Sequence, residues 1–283
     1  MNRKQVSFIK LDRSEVDCIV FWTKDASPML SRLEELQGYS FYFLYTMTRY
    51  GSSIEKNVPP VEKSIETFKK LSEQLGPNRV IWRYDPIFLT KTIDCQKHLS
   101  HFESIARELK GYTNKCIVSF LDVYKKTERN MKTVEYRPLT QQEIPTFAQE
   151  LARIAKNNDI KVETCAEEID LVAFGIEHAK CIDDRLVSDL LGVNTVIPKD
   201  KTQRLECGCV ISADIGTYNS CNHKCLYCYA NCNHLQAEAN FANHDPNSPL
   251  LFGELVGDEK ISVRKMKSFK SYIASSERQK DLF

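Results

Sequence analysis

The sequence predicts an α/β protein built on an open parallel sheet, a partial TIM-like barrel of about six strands. Short apolar runs rich in β-branched and aromatic residues recur at residues 16–22, 41–47, 80–84, 116–121 and 162–165. Several are nearly continuous rather than alternating, as in strands buried on both faces. Helical repeats stand between them, and strand alternating with helix argues for a parallel sheet. Six strands suit an open arrangement better than a closed eight-stranded barrel.

The elements follow in order. Residues 28–36 give a short helix after the first strand. Val61, Ile65, Phe68, Leu71 and Leu75 repeat at steps of three and four, and Gly76-Pro77 ends that helix. Leu99, Phe102, Ile105 and Leu109 form a second apolar stripe, stopped by Gly111. A Thr140 cap with Glu143 in the first turn opens a third helix, whose face is Ile144, Phe147, Leu151 and Ile154. The sixth strand is expected at Cys209-Val210-Ile211-Ser212-Ala213-Asp214-Ile215.

With 283 residues, 42% of them hydrophobic, the chain can bury a full core. Its net charge of +1 gives no global basic field for nucleic acid or a membrane. The first residues lack an apolar signal core, and no apolar run is long enough to span a bilayer. Eleven cysteines in such a chain point to a reducing cytoplasm and to metal binding rather than disulfides. Three units are expected: residues 1–206 as the partial barrel, 207–255 as a strand, cysteine loop and helix packed on it, and 256–283 as a flexible basic tail.

The chemistry concentrates in Cys221-Asn222-His223-Lys224-Cys225-Leu226-Tyr227-Cys228. Three thiolates can hold three irons of a 4Fe–4S cubane and leave the fourth open, whereas a structural zinc wants four ligands. His223 lies inside this loop and reads as loop-forming; His178, His234 and His244 show no ligand spacing with it. Cys207-Gly208-Cys209 is a second pair, and with Cys165 and Cys181, which recur in the pattern of the family that the chain resembles, it could hold a second iron–sulfur cluster or a zinc. Cys165 and Cys209 could equally be small buried strand residues. Cys232 is a spare candidate, and Cys18, Cys95 and Cys116 read as core or helix positions.

The Cys-x-x-x-Cys-x-x-Cys loop, with Tyr227 before its last cysteine, resembles that of radical S-adenosylmethionine (SAM) enzymes. The chain is more closely similar to a family of unknown function whose C-terminal cysteines look like that cluster. The resemblance rests also on Val80-Ile81-Trp82-Arg83-Tyr84-Asp85-Pro86, on Glu163-Thr164-Cys165-Ala166-Glu167-Glu168-Ile169-Asp170, on Cys207-Gly208-Cys209 and on Asp245-Pro246-Asn247-Ser248-Pro249-Leu250. It implies that Cys221, Cys225 and Cys228 ligate a 4Fe–4S cluster, that SAM chelates its open iron, and that an electron donor drives cleavage to a 5′-deoxyadenosyl radical. Tyr227 would pack near the adenine; Arg83 and Asp85, at a strand end, could bind a SAM carboxylate and ribose or an anionic substrate, or else form a structural pair. In radical SAM enzymes this loop follows the first barrel strand; here it comes last, so a circular permutation is expected. Relatives carry a leading strand ending in Arg-Arg-Thr-Asp that precedes the start of this chain, so part of the barrel and SAM pocket is expected to be incomplete.

From Asp258 onward, seven Lys or Arg stand against four Asp or Glu with few apolar residues, which predicts a solvated segment. It ends in Gln279-Lys280-Asp281-Leu282-Phe283, similar to the Gln-x-x-Leu-Phe peptide that docks on the bacterial sliding clamp. Gln279, Leu282 and Phe283 would be the anchors, and DNA or RNA the substrate. Spore photoproduct lyase would then be a distant analogue. Two other functions compete: a non-catalytic iron–sulfur or zinc protein recruited to DNA, and a barrel hydrolase or nuclease using Asp85, Asp122, Glu163 and Glu167 on a divalent metal.

Overall fold

The structure, a computed structural model, describes residues 5–265 apart from 123, 195 and 252, together with 268 and 269. Its centre is an open sheet of six parallel strands. They are β1 (Ile19–Thr23), β2 (Phe41–Thr46), β3 (Val80–Ile87), β4 (Lys115–Phe120), β5 (Lys161–Thr164) and β6 (Glu177–His178), side by side in chain order. Chain order with right-handed crossovers puts the connecting helices on one face, as in a barrel. Those helices are α1 (Val61–Leu75), α2 (Cys95–Leu109) and α4 (Glu143–Asn157), with the short α3 (Lys125–Met131) before the last.

Period-two alternation divides the sheet residues between two cores. Phe41, Phe43, Tyr45, Val80, Trp82, Tyr84, Cys116 and Val118 face the helices. Trp82 is fully buried, stacks on Phe102 of α2 at 4.6 Å and donates its indole N–H to the Met47 carbonyl at 3.0 Å. Tyr42, Leu44, Ile81 and Ile117 face the other way, onto residues 179–210 and α5 (Asp184–Leu191). This inner face is therefore filled, and three of its plugging side chains are Cys181, Cys207 and Cys209.

The local sequence signals appear as read. Glu143 accepts from the Thr140 amide at 2.8 Å while Thr140 Oγ1 accepts from the Glu143 amide at 3.3 Å, a reciprocal cap. Gly76 ends α1 at φ +88°, where a side chain would be strained. Residues 27–36 wind as a 3₁₀ helix.

The expected sixth strand is corrected. Residues 209–215 do not join the sheet, and the sixth place goes to Glu177–His178. Val210 forms only an isolated bridge to Lys199 and donates its amide to the Ile182 carbonyl. Cys209 and Val210 turn into the inner core while Ile211 and Ile215 are exposed. The run packs across the face of the sheet rather than along its edge, so its backbone has no neighbouring strand to pair with.

Within the segment read as a solvated tail, Lys260–Val263 pairs in parallel with Gln5–Phe8. Gln279, Leu282 and Phe283 lie outside the described residues. Among the described residues, no helix is long and apolar enough to cross a membrane.

Candidate metal centre

The triad loop docks on residues 51–58, just beyond the C-terminal end of β2. Leu226 donates its amide to the Ile54 carbonyl and Asn57 donates to His223, each at 3.0 Å, while the Asn57 side chain reaches the Asn222 carbonyl at 2.7 Å. His223 Nδ1 lies 3.2 Å from the Asn57 carbonyl oxygen, which fits a loop-forming role. Glu55 and Cys225 form an antiparallel bridge. The loop turns sharply at Lys224, whose φ of +54° lies in the left-handed region. Behind it, α6 (His234–Ala242) is capped by Asn233, which accepts from the Gln236 amide.

Cys225 is buried, Cys228 half-buried and Cys221 exposed. The three thiols are close enough to influence one another electrostatically. Burial pushes the Cys225 thiol up to about 12, and the Lys24 cation opposes this. Burial likewise raises Cys221 and Cys228, again against Lys24. The Lys24 cation favours the thiolate forms that a metal would need here.

Lys24 belongs to a buried network that the sequence did not reveal. Its Nζ sits 2.8 Å from Glu55 Oε1, and the same carboxylate accepts from Thr48 Oγ1 at 2.7 Å and from the Tyr227 hydroxyl. Lys24 also lies over the Tyr227 ring, 5.6 Å from its centroid. Burial disfavours a charged Glu55, but Lys24, Tyr227 and Thr48 together hold its carboxyl below the usual range. Tyr227 is 9% exposed and packs edge-on to Phe88 and tilted against Tyr50. In this state the ring anchors the loop, and its faces are taken by protein. Glu55 carries no sequence signal, because it sits in an irregular loop between β2 and α1.

The second group of polar residues lines the inner side of the sheet near its C-terminal rim. Arg83 pairs with Asp85, which also accepts from Ser119 Oγ. Burial opposes the Arg83 charge, but Asp85 outweighs it, aided by Cys181, Cys165 and Tyr229. Arg83 thus lies within electrostatic reach of Cys165 and Cys181 and of Tyr229, the residue next to Cys228. Its Nε is buried with no hydrogen-bond partner among the described residues, an unused donor at the rim.

Cys165, Cys181, Cys207 and Cys209 come together. Cys165 Sγ is 3.1 Å from Cys181 Sγ, Cys181 touches Cys209, and Cys209 touches Cys207. Cys232 lies beside the triad, its thiol on Asn219 Oδ1 at 3.7 Å and within reach of Cys228. Cys116 is a fully buried core residue. The four acids considered for a hydrolase do not converge: Glu163 pairs with Lys115 and Lys161, Asp122 with Arg204, and Asp85 with Arg83. Among the described residues no group of three or more His, Cys, Asp or Glu is placed so that it could hold a metal ion.

Residues 1–230 match the family described as a domain of unknown function (DUF1848). The chain belongs to that family. The DUF1848 match ends just past Cys228, so both cysteine groups lie inside it, whereas α6 and everything after it lie outside. No curated protein matches the chain.

One further rim group has a testable charge. Burial pushes Glu167 up to about 7, partly offset by the Phe120 amide, which donates to its Oε1 at 2.8 Å. A carboxyl with a raised folded-state pKa penalises the native state once it ionises. Stability should therefore fall as pH rises from about 4.5 to about 7. Glu167→Gln should match the parent near pH 4 and exceed it at pH 8, as read by urea midpoints. Equal midpoints at both pH values would remove this account of Glu167.

Proposed function

We propose that this DUF1848 chain is a radical SAM-type enzyme, with a 4Fe–4S cluster held by Cys221, Cys225 and Cys228. The observation that carries the reading is the placement of the three thiols. They sit on one ordered loop, docked beyond the strand ends of an open parallel sheet, where such sheets place their chemistry. Three thiolates leave one iron open, and a bound cluster of this kind supplies the site for SAM and the electron that cleaves it to a 5′-deoxyadenosyl radical.

The residues present fit such a group. Lys24 supplies a cation next to the thiols, and the Glu55–Tyr227 contact fixes the loop. Arg83 offers its unused Nε donor for an anionic group such as the SAM carboxylate, and Asp85 stands beside it. The loop comes late in the chain, and the run that leads into it, residues 209–215, lies across the sheet face rather than beside the N-terminal strand. A nucleic-acid substrate, with docking on the sliding clamp through Gln279, Leu282 and Phe283, is the accompanying proposal for where the enzyme acts. Removing Leu282 and Phe283 should then abolish clamp binding in a pull-down.

The experiment is anaerobic reconstitution with iron and sulfide, followed by SAM and a strong reductant. Formation of 5′-deoxyadenosine supports the reading. A fully loaded cluster with no SAM cleavage would leave a non-catalytic iron–sulfur protein.

A further inference from the structure

Four cysteines from three separate chain positions meet on the filled inner face, away from the triad loop. Cys165 follows β5, Cys181 precedes α5, and Cys207 and Cys209 come from the run that crosses the sheet. Gly208 makes this meeting possible: a Cβ there would approach Lys180 Cγ at 3.0 Å and the Ala179 carbonyl oxygen at 3.2 Å. With glycine, the Cys207–Cys209 turn can press against residues 179–181. The left-handed φ of +53° at Ala166 turns the chain sharply after Cys165.

We propose that Cys165, Cys181, Cys207 and Cys209 form a tetrathiolate site for a single Zn²⁺ ion on the inner face of the sheet. Cys181, Cys207 and Cys209 are each less than a tenth exposed, and Cys165 is half-buried. The Cys165 and Cys181 sulfurs are 3.1 Å apart, and Cys207 and Cys209 pack in the same cluster as Cys181. Three or more of them do not yet converge on one point, so binding would draw the thiols together. Around one tetrahedral zinc, with bonds of about 2.3 Å, neighbouring sulfurs stand about 3.8 Å apart. The Cys165–Cys181 pair would open by about 0.7 Å from its present separation, within reach of a side-chain rotation. A cubane cluster holds its thiolates much further apart, so this spacing favours a single ion.

The surroundings suit an anionic metal–thiolate group. The Ile182 amide donates to Cys209 Sγ at 3.4 Å and the Cys209 amide donates to Cys207, the kind of outer contact that orients ligating sulfur. Four thiolates around Zn²⁺ leave a net charge of −2, and buried charge needs compensation. Arg83 lies within electrostatic reach of Cys165 and Cys181, and Arg204 of Cys165 and Cys207.

This site stands independently of the radical SAM reading, and the test keeps them apart. The full chain carrying Cys221→Ala, Cys225→Ala and Cys228→Ala would be purified anaerobically, dialysed against Zn²⁺ and counted for metal. About one zinc per chain is expected, and Co²⁺ in its place should give the intense visible bands of a tetrahedral thiolate site. Cys181→Ser in the same background should weaken Zn²⁺ binding by at least about 100-fold. If that variant does not fold, Cys207→Ser carries the same expectation. A folded protein that binds no Zn²⁺, one that takes up iron there in preference to Zn²⁺, or a peptide map showing a Cys165–Cys181 disulfide in the anaerobic protein would overturn the proposal.

Discussion

Glu55→Ala should unfold about 10 °C below the parent, a loss of roughly 3–5 kcal/mol. The cause is the charge left behind. Lys24 is 12% exposed and Glu55 4% exposed, so removing the carboxylate strands a buried ammonium, and the hydroxyls of Thr48 and Tyr227 lose their shared acceptor. Replacing both charges, as in Lys24→Met with Glu55→Leu, should recover most of the loss, because a well-packed apolar pair avoids the desolvation cost. Acid should mimic the single variant. The folded-state pKa of Glu55 is depressed, so its contribution is present above the unfolded-state value and is lost as pH falls through the folded one. Thermal melts of the three proteins at pH 7 and at steps of decreasing pH below about 4.5 check this. A single variant as stable as the parent would show that the network contributes nothing.

Cys225→Ala should abolish iron binding at the triad loop while leaving the fold in place. Cys225 is the deepest of the three thiols, 5% exposed, and its backbone bridges Glu55 whatever its side chain. Truncating one small side chain should cost about 1 kcal/mol, too little to unfold a domain of this size. Losing one of three thiolates removes a corner of a cubane. The check pairs iron counting with far-ultraviolet circular dichroism. Full iron content in a folded Cys225→Ala protein would move the cluster elsewhere.

The sheet was legible because β2, β3 and β4 are short apolar runs buried on both faces, and because α1, α2 and α4 each carry an apolar stripe at helical spacing. Glu177–His178 escaped notice, being a two-residue strand with no hydrophobic signature. Residues 209–215 misled for the opposite reason: their apolar pattern is real, but Cys209 and Val210 satisfy it by packing onto the sheet face. Helix α5 was missed because its apolar side, Leu186, Val187, Leu190 and Leu191, covers the inner face that a partial barrel would leave to side chains alone. At the site, cysteine spacing pointed to the triad and to the Cys207–Cys209 pair, and the family resemblance added Cys165 and Cys181. Arg83 and Asp85 were recognisable as a candidate pair, whereas Lys24 and Thr48 gained a role only through the structure. Glu55 was not recognisable, because a lone acid in an irregular loop gains meaning only when three donors converge on it.

In the proposed reading the triad loop holds a cluster whose open iron faces a SAM site at the sheet rim. Electron paramagnetic resonance of the reconstituted, reduced protein, recorded with and without SAM, tests it most directly. The account predicts a reduced-cluster signal that changes when SAM is added and is absent from Cys225→Ala. A full cluster signal that SAM leaves unaltered would contradict it.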